Sequence, residues 1–171
     1  MVPNQDSSRE RQIRGMAPRR GRRDTPPELN PKGGTLNVLI ADDNPNFRST
    51  LKEMLESRPN IEEVWEAKDG EEAVRLARKL LPDLVLMDLA MPRIDGLEAT
   101  RLIKEQQPAV RVILLSAHEG EILHRAAVAN GADAYLDKSQ CASGLEEVGR
   151  LRGKQPVWID RNSGDLEERS T

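Results

Sequence analysis

The chain predicts an α/β protein built on a doubly wound, five-stranded parallel sheet, and three observations support that expectation. From Leu36 onward, short apolar runs alternate with segments whose apolar residues recur at helical spacing, the pattern of successive strand–helix units. The runs, such as Val38-Leu39-Ile40-Ala41 and Leu84-Val85-Leu86-Met87, are continuously apolar, as burial on both faces of a sheet requires. Their carboxyl ends deliver polar groups: Asp42 and Asp43 after the first, Asp88 after the third, Ser116 after the fourth and Lys138 two residues past the fifth.

Each element follows from local chemistry. After the first strand, Asn44 and Pro45 supply a cap and a first helical residue, and Phe47, Leu51, Met54 and Leu55 then repeat at helical spacing. The second strand runs from Ile61 to about Ala67 and turns at Asp69-Gly70. Ala73, Val74, Ala77, Leu80 and Leu81 form the expected buried face of the second helix, which Pro82 stops. The third strand covers 84–87, the third helix about 97–107 with Pro108 as its breaker, and the fourth strand 110–115. Ile122, Leu123, Ala126 and Ala127 mark the inner face of the fourth helix, which Asn130-Gly131 ends. The fifth strand is expected at 134–136 and the fifth helix at about 144–151. No internal repeat is visible.

Size and composition bound the function. A chain of 171 residues with 37% hydrophobic content buries one good core and requires no second. No apolar stretch approaches the roughly 18 to 20 residues of a membrane helix, and no apolar segment follows Arg19-Arg20, a poor twin-arginine signal. The single cysteine, Cys141, excludes an internal disulfide and fits a reducing cytoplasm.

Residues 1–35 hold eight Lys and Arg against four Asp and Glu, while the remainder holds 18 against 25. That first stretch, rich in Pro, Arg, Gly and Ser, cannot offset its ordering entropy by burial and reads as a disordered basic arm. Arg19-Arg20-Gly21-Arg22-Arg23 lacks interleaved aromatics, so a solvated tail is favoured over a nucleic-acid or lipid contact. An acidic body without a basic stripe argues against nucleic-acid binding by the folded part.

In a doubly wound sheet, sites form outside the carboxyl ends of the strands, so topology alone gathers Asp42, Asp43, Asp88 and Ser116, with Lys138 close by. Three carboxylates about 5 Å apart repel by roughly 3 kcal/mol per pair at an effective dielectric of about 20. Such a cluster needs a cation. Oxygen donors without a nearby Cys or paired His point to Mg²⁺, which leaves room for phosphate oxygens. Ser116 is suited to hydrogen-bond a phosphoryl oxygen and Lys138 to neutralise another. That set is the inventory of metal-assisted phosphoryl transfer.

The acidic pair Asp42-Asp43, the strand-end Asp88 in LVLMDLAMPRIDG, Ser116-Ala117, and Tyr135 three residues before Lys138 together resemble the response-regulator receiver domains of bacterial two-component signalling. The resemblance implies a flavodoxin-like strand order 2-1-3-4-5 and a receiver domain over 36–152. It further implies a phosphorylation-dependent switch, not a turnover enzyme, in which Asp88 takes a phosphoryl group from a sensor histidine kinase or phosphotransfer protein. Mg²⁺ would be held by Asp43 and Asp88 directly, by Asp42 through water and by the Ala90 backbone carbonyl. Lys138 would pair with the phosphoryl group, Ser116 would move toward it, and Tyr135 would turn inward. The altered face of the fourth helix, fifth strand and fifth helix would then change affinity for a downstream protein or a second copy of the chain. Met91-Pro92 and Asp95-Gly96 fit the loop after the phosphoacceptor.

Two departures matter. Ser139 stands where the family often has Pro after the lysine, a variation familiar from LuxR-type regulators. Ala90 offers no polar side chain to position a hydrolytic water, and His118, two past Ser116, would replace or obstruct one.

Residues 153–171 read as a tail too short for an output domain, so a stand-alone receiver is expected. Pro156-Val157-Trp158-Ile159 is expected to dock back on the domain. Alternatives are a receiver-like binding module that works unphosphorylated, or an aspartyl-phosphate phosphohydrolase of the haloacid-dehalogenase type. The hydrolase is disfavoured because Asp42-Asp43-Asn44 lacks the second acid of a D-x-D pair. A flavodoxin-like carrier is disfavoured because Asp42-Asp43 would repel a flavin phosphate. His118 and His124 do not have zinc-site spacing, and no Walker-type loop occurs.

Overall fold

The computed structural model describes residues 35–118 and 120–141. The basic arm, the helix expected over 144–151 and the tail bearing Trp158 lie outside the described residues. Within them the chain runs β1 (Leu36–Ala41), α1 (Pro45–Glu56), β2 (Ile61–Ala67), α2 (Gly70–Leu80), β3 (Leu84–Asp88), α3 (Gly96–Gln106), β4 (Arg111–Ser116), α4 (Glu121–Ala129) and β5 (Ala134–Asp137). A single 3₁₀ turn, Lys138–Gln140, follows β5.

All pairings are parallel and the strand order is β2-β1-β3-β4-β5, as the resemblance implied. Alternate residues of each strand enter two separate cores. Leu39, Val85, Met87, Val112 and Leu114 pack with Ala73, Leu76 and Ala77 of α2, Ala99 and Ile103 of α3 and Ala127 of α4. Val38, Ile40, Leu84, Leu86, Ile113 and Leu115 pack on the opposite face with Leu51 and Leu55 of α1. Both faces are therefore covered, which is why the strands are apolar throughout.

The helix starts are chemically explicit. The Asn44 side chain accepts from the Asn46 and Phe47 amides, with Pro45 at the first helical position. Asp69 caps α2 through the Glu72 amide, and Asp95 caps α3 through the Glu98 amide. Gly131, at φ 84, follows the end of α4 in the left-handed conformation that glycine adopts without penalty.

Two expectations about buried faces are corrected. Leu81 is 52% exposed and left-handed at φ 51, outside α2. Pro82 crowds a right-handed residue before it, so the chain leaves the helix one residue early and turns Leu81 to solvent. Ile122 is 83% exposed. The inward residue of α4 is Ala127, and at about 100° per residue Ile122 lies roughly 140° around the helix from it, whereas Leu123 and His124 flank it and are half-buried.

Candidate functional site

Strand register assembles the site. The pairings Ala41↔Met87, Met87↔Leu114 and Leu114↔Tyr135 put Asp42, Asp88, Leu115 and Leu136 in one row across four strands, with Ser116 one residue further and Lys138 two. Carboxylate oxygens of Asp42, Asp43 and Asp88 all lie within 4.8 Å of one another. Asp42 is fully buried and Asp88 nearly so, while Asp43 is exposed.

Lys138 closes the cluster. Its Nζ is 2.7 Å from Asp42 Oδ2 and 3.0 Å from Asp88 Oδ1, and it sits 4.8 Å from the centroid of the Phe47 ring. The ring face favours the ammonium while excluding water from one side of it. Burial opposes the charge on Lys138, but hydrogen bonds and attraction from Asp42 and Asp88 prevail and raise its pKa above the ordinary value. Asp88 is also raised, first by burial. Its bond to Lys138 pulls it down, the charge of Asp42 pushes it up, and attraction to Lys138 and the Ala90 amide pull it down again.

Backbone groups complete the frame. Asp42 Oδ1 accepts from the Asn44 amide at 2.8 Å, and the Asp42 carbonyl accepts from Arg48 Nη1 at 2.6 Å. Asp88 Oδ1 faces the Ala90 amide at 3.3 Å, which places exposed Ala90 beside the acid. Three hard oxygen donors on a short perimeter, offset by one ammonium, fit a hard divalent cation.

Ser116 and Tyr135 are held elsewhere. The Ser116 hydroxyl donates to the His118 carbonyl at 2.9 Å and accepts from the His118 amide at 3.0 Å. The Tyr135 hydroxyl donates to the same carbonyl at 2.5 Å, and the Tyr135 ring packs against the core on the α2/α3 face. The structure therefore brings Asp42, Asp43, Asp88, Lys138 and Ala90 together and gathers Ser116 and Tyr135 on the backbone of His118. His118 meets Ser116 and Tyr135 through its main chain, a contact that no side-chain motif signals.

Sequence reasoning also passed over Phe47, which it read only as core, and Arg48. Both lie in the first turn of α1, next to the carboxyl end of β1, where Phe47 meets Lys138 and Arg48 the Asp42 carbonyl. Arg93 was missed as well. It has a positive φ of 69 and pairs with the capping carboxylate of Asp69.

Comparison with known proteins agrees with this fold. The model of the response regulator receiver domain matches residues 38–148, and the chain belongs to that family. It is 39% identical over 124 residues to the transcriptional regulatory protein DegU of Brevibacillus brevis, covering 72% of this chain and 52% of that protein. The chain thus spans about half the length of that relative. The response regulator domain of Thermotoga maritima CheB superposes with a TM-score of 0.62 at 35% identity, covering 68% of this chain and 94% of that one. The receiver domain of the histidine kinase CKI1 from Arabidopsis thaliana, solved with Mg²⁺, gives a TM-score of 0.59 at 32% identity, covering 66% and 91%. No helix among the described residues is long and apolar enough to cross a membrane.

Proposed function

We propose that this receiver is a cytoplasmic, phosphorylation-dependent switch whose phosphoacceptor is Asp88. The observation that carries the reading is the convergence of Asp42, Asp43 and Asp88 within 4.8 Å under a lysine that contacts two of them.

In this reading a carboxylate oxygen of Asp88 attacks the phosphorus of a phosphohistidine on a sensor kinase or phosphotransfer protein. The P–N bond breaks in line with the attack, and the imidazole keeps the bonding pair. Mg²⁺ would be held by Asp43, Asp88, the Ala90 carbonyl and, through water, Asp42, and when bound it supplies charge neutralisation at the phosphoryl oxygens. Lys138 is then poised to leave Asp88 for a phosphoryl oxygen while keeping Asp42. Ser116 gives up the His118 carbonyl to donate to another phosphoryl oxygen, and Tyr135, tied to that carbonyl, follows. The consequence is a change on the α4–β5 surface and on the segment after it, which alters affinity for a downstream protein or a second copy of the chain. Exposed Ile122 and Val128 on α4 support a partner surface there. No separate substrate is turned over, and the folded domain binds no nucleic acid by itself.

Incubation with phosphoramidate or acetyl phosphate and Mg²⁺, followed by intact-mass measurement, tests this reading. The protein is expected to gain one phosphoryl group, and Asp88→Asn or chelator is expected to abolish the gain.

A further inference from the structure

The loop Leu89–Asp95, between β3 and α3, carries Ala90 to the acidic cluster, and its two ends are fixed by backbone. The Leu89 amide donates to the Leu115 carbonyl at 2.8 Å, the Gly96 amide donates to the Leu89 carbonyl at 3.0 Å, and Met91 is buried in the core. Its outer turn lies against the start of α2. A Cβ on Gly70 would stand 2.2 Å from the Ile94 carbonyl oxygen, so the two backbones are in direct contact.

At that turn Arg93 occupies the left-handed region, φ 69, where glycine, asparagine or aspartate is ordinarily found. Its side chain explains its presence. Arg93 Nη2 pairs with Asp69 Oδ2, and Nε lies 3.9 Å from Glu71. The Asp69 side chain is 4% exposed, and its other oxygen is engaged with the Glu72 amide at 2.8 Å. One carboxylate therefore caps α2 and anchors the loop.

We propose that Arg93, through Asp69, is a positioning residue for the cation site: the pair pins the outer turn of the loop to the start of α2 and so holds the Ala90 carbonyl at the acidic cluster before an ion binds. This rests on the reading above, in which that carbonyl is a ligand. Electrostatics alone predicts something different. Removing a cation near an acidic cluster strengthens attraction for Mg²⁺, and removing an anion weakens it. Positioning predicts weaker binding in both cases.

The test is calorimetric titration of Mg²⁺ into the full chain at about 0.15 M salt, where long-range terms are screened. Arg93→Ala and Asp69→Ser, which keeps a capping hydroxyl, are each expected to raise the Kd by about three- to tenfold. That is milder than the 10- to 100-fold common for groups supporting a metal ligand, because the loop ends stay anchored. The double variant is expected to be no worse than either single one. Arg93→Lys is expected to recover part of the loss. Arg93→Gly, which relieves the backbone but deletes the pair, is expected to melt no lower than the parent and still bind Mg²⁺ more weakly. Unchanged or tighter binding by Arg93→Ala and Arg93→Gly, with the parent binding normally, overturns the inference alone. Absence of Mg²⁺ binding by the parent overturns the functional reading with it.

Discussion

The hydroxyls of Ser116 and Tyr135, on neighbouring strands, donate to the same acceptor, the His118 carbonyl, at 2.9 and 2.5 Å. A pull on Ser116 toward Asp88 therefore releases one of two bonds on a shared oxygen and changes the footing of the tyrosine. Addition of beryllofluoride with Mg²⁺, a phosphoryl mimic, is expected to shift the amide resonances of residues 88–90, 116–118, 121–129 and 135. In Tyr135→Phe the shifts are expected to persist at 88–90 and shrink over 121–129. An undiminished response over 121–129 would show that the hydroxyl transmits nothing.

Lys138 is the counter-charge for two buried acids, so its removal leaves both without an ammonium partner. Lys138→Ala is expected to cost about 2 kcal/mol in denaturant unfolding, below the value for a fully buried pair because the side chain is 20% exposed. Added Mg²⁺ is expected to recover more stability in this variant than in the parent.

Asp88 has the opposite sign. Its carboxyl is raised in the folded state by burial first, so the folded protein holds that proton more tightly than the unfolded chain. Stability is therefore lost as pH rises from the ordinary carboxylate range through the raised value. Asp88→Asn is expected to be more stable than the parent at pH 7 without metal. The advantage should vanish in acid below both values, and a variant less stable at pH 7 would contradict the account.

Gly70 and Gly96 make close backbone contacts beside the site. A Cβ on Gly96 would lie 2.1 Å from the Asp88 carbonyl oxygen, and one on Gly70 2.2 Å from that of Ile94. Each Gly→Ala change is expected to cost about 2–3 kcal/mol and to displace the loop that bears Ala90. Gly120→Ala, with nothing within 4 Å, is expected to stay within about 0.5 kcal/mol of the parent. Thermal or denaturant unfolding separates these outcomes.

The strands and the acid cluster were legible in the sequence because both are properties of single segments. Continuous apolar runs report burial on two faces, and a parallel sheet places every strand's carboxyl end on one edge. Thus Asp42, Asp43, Asp88 and Lys138 could be gathered from position alone. Helix faces were less legible where the inner surface is narrow. Leu81 and Ile122 are apolar at plausible spacing, yet Pro82 ends α2 before the first, and α4 buries mainly Ala127, away from the second. The backbone of His118 and the Arg93–Asp69 pair gave no local signal, since one uses a carbonyl common to every residue and the other joins positions 24 apart.

Treating the protein with phosphoramidate and Mg²⁺, reducing the acyl phosphate with borohydride and locating the modified residue by peptide mass spectrometry tests whether Asp88 is the phosphoacceptor. Conversion of Asp88 alone is expected, dependent on Mg²⁺ and strongly reduced in Asp43→Ala. Modification at another residue, or equal labelling with the metal chelated, would contradict it.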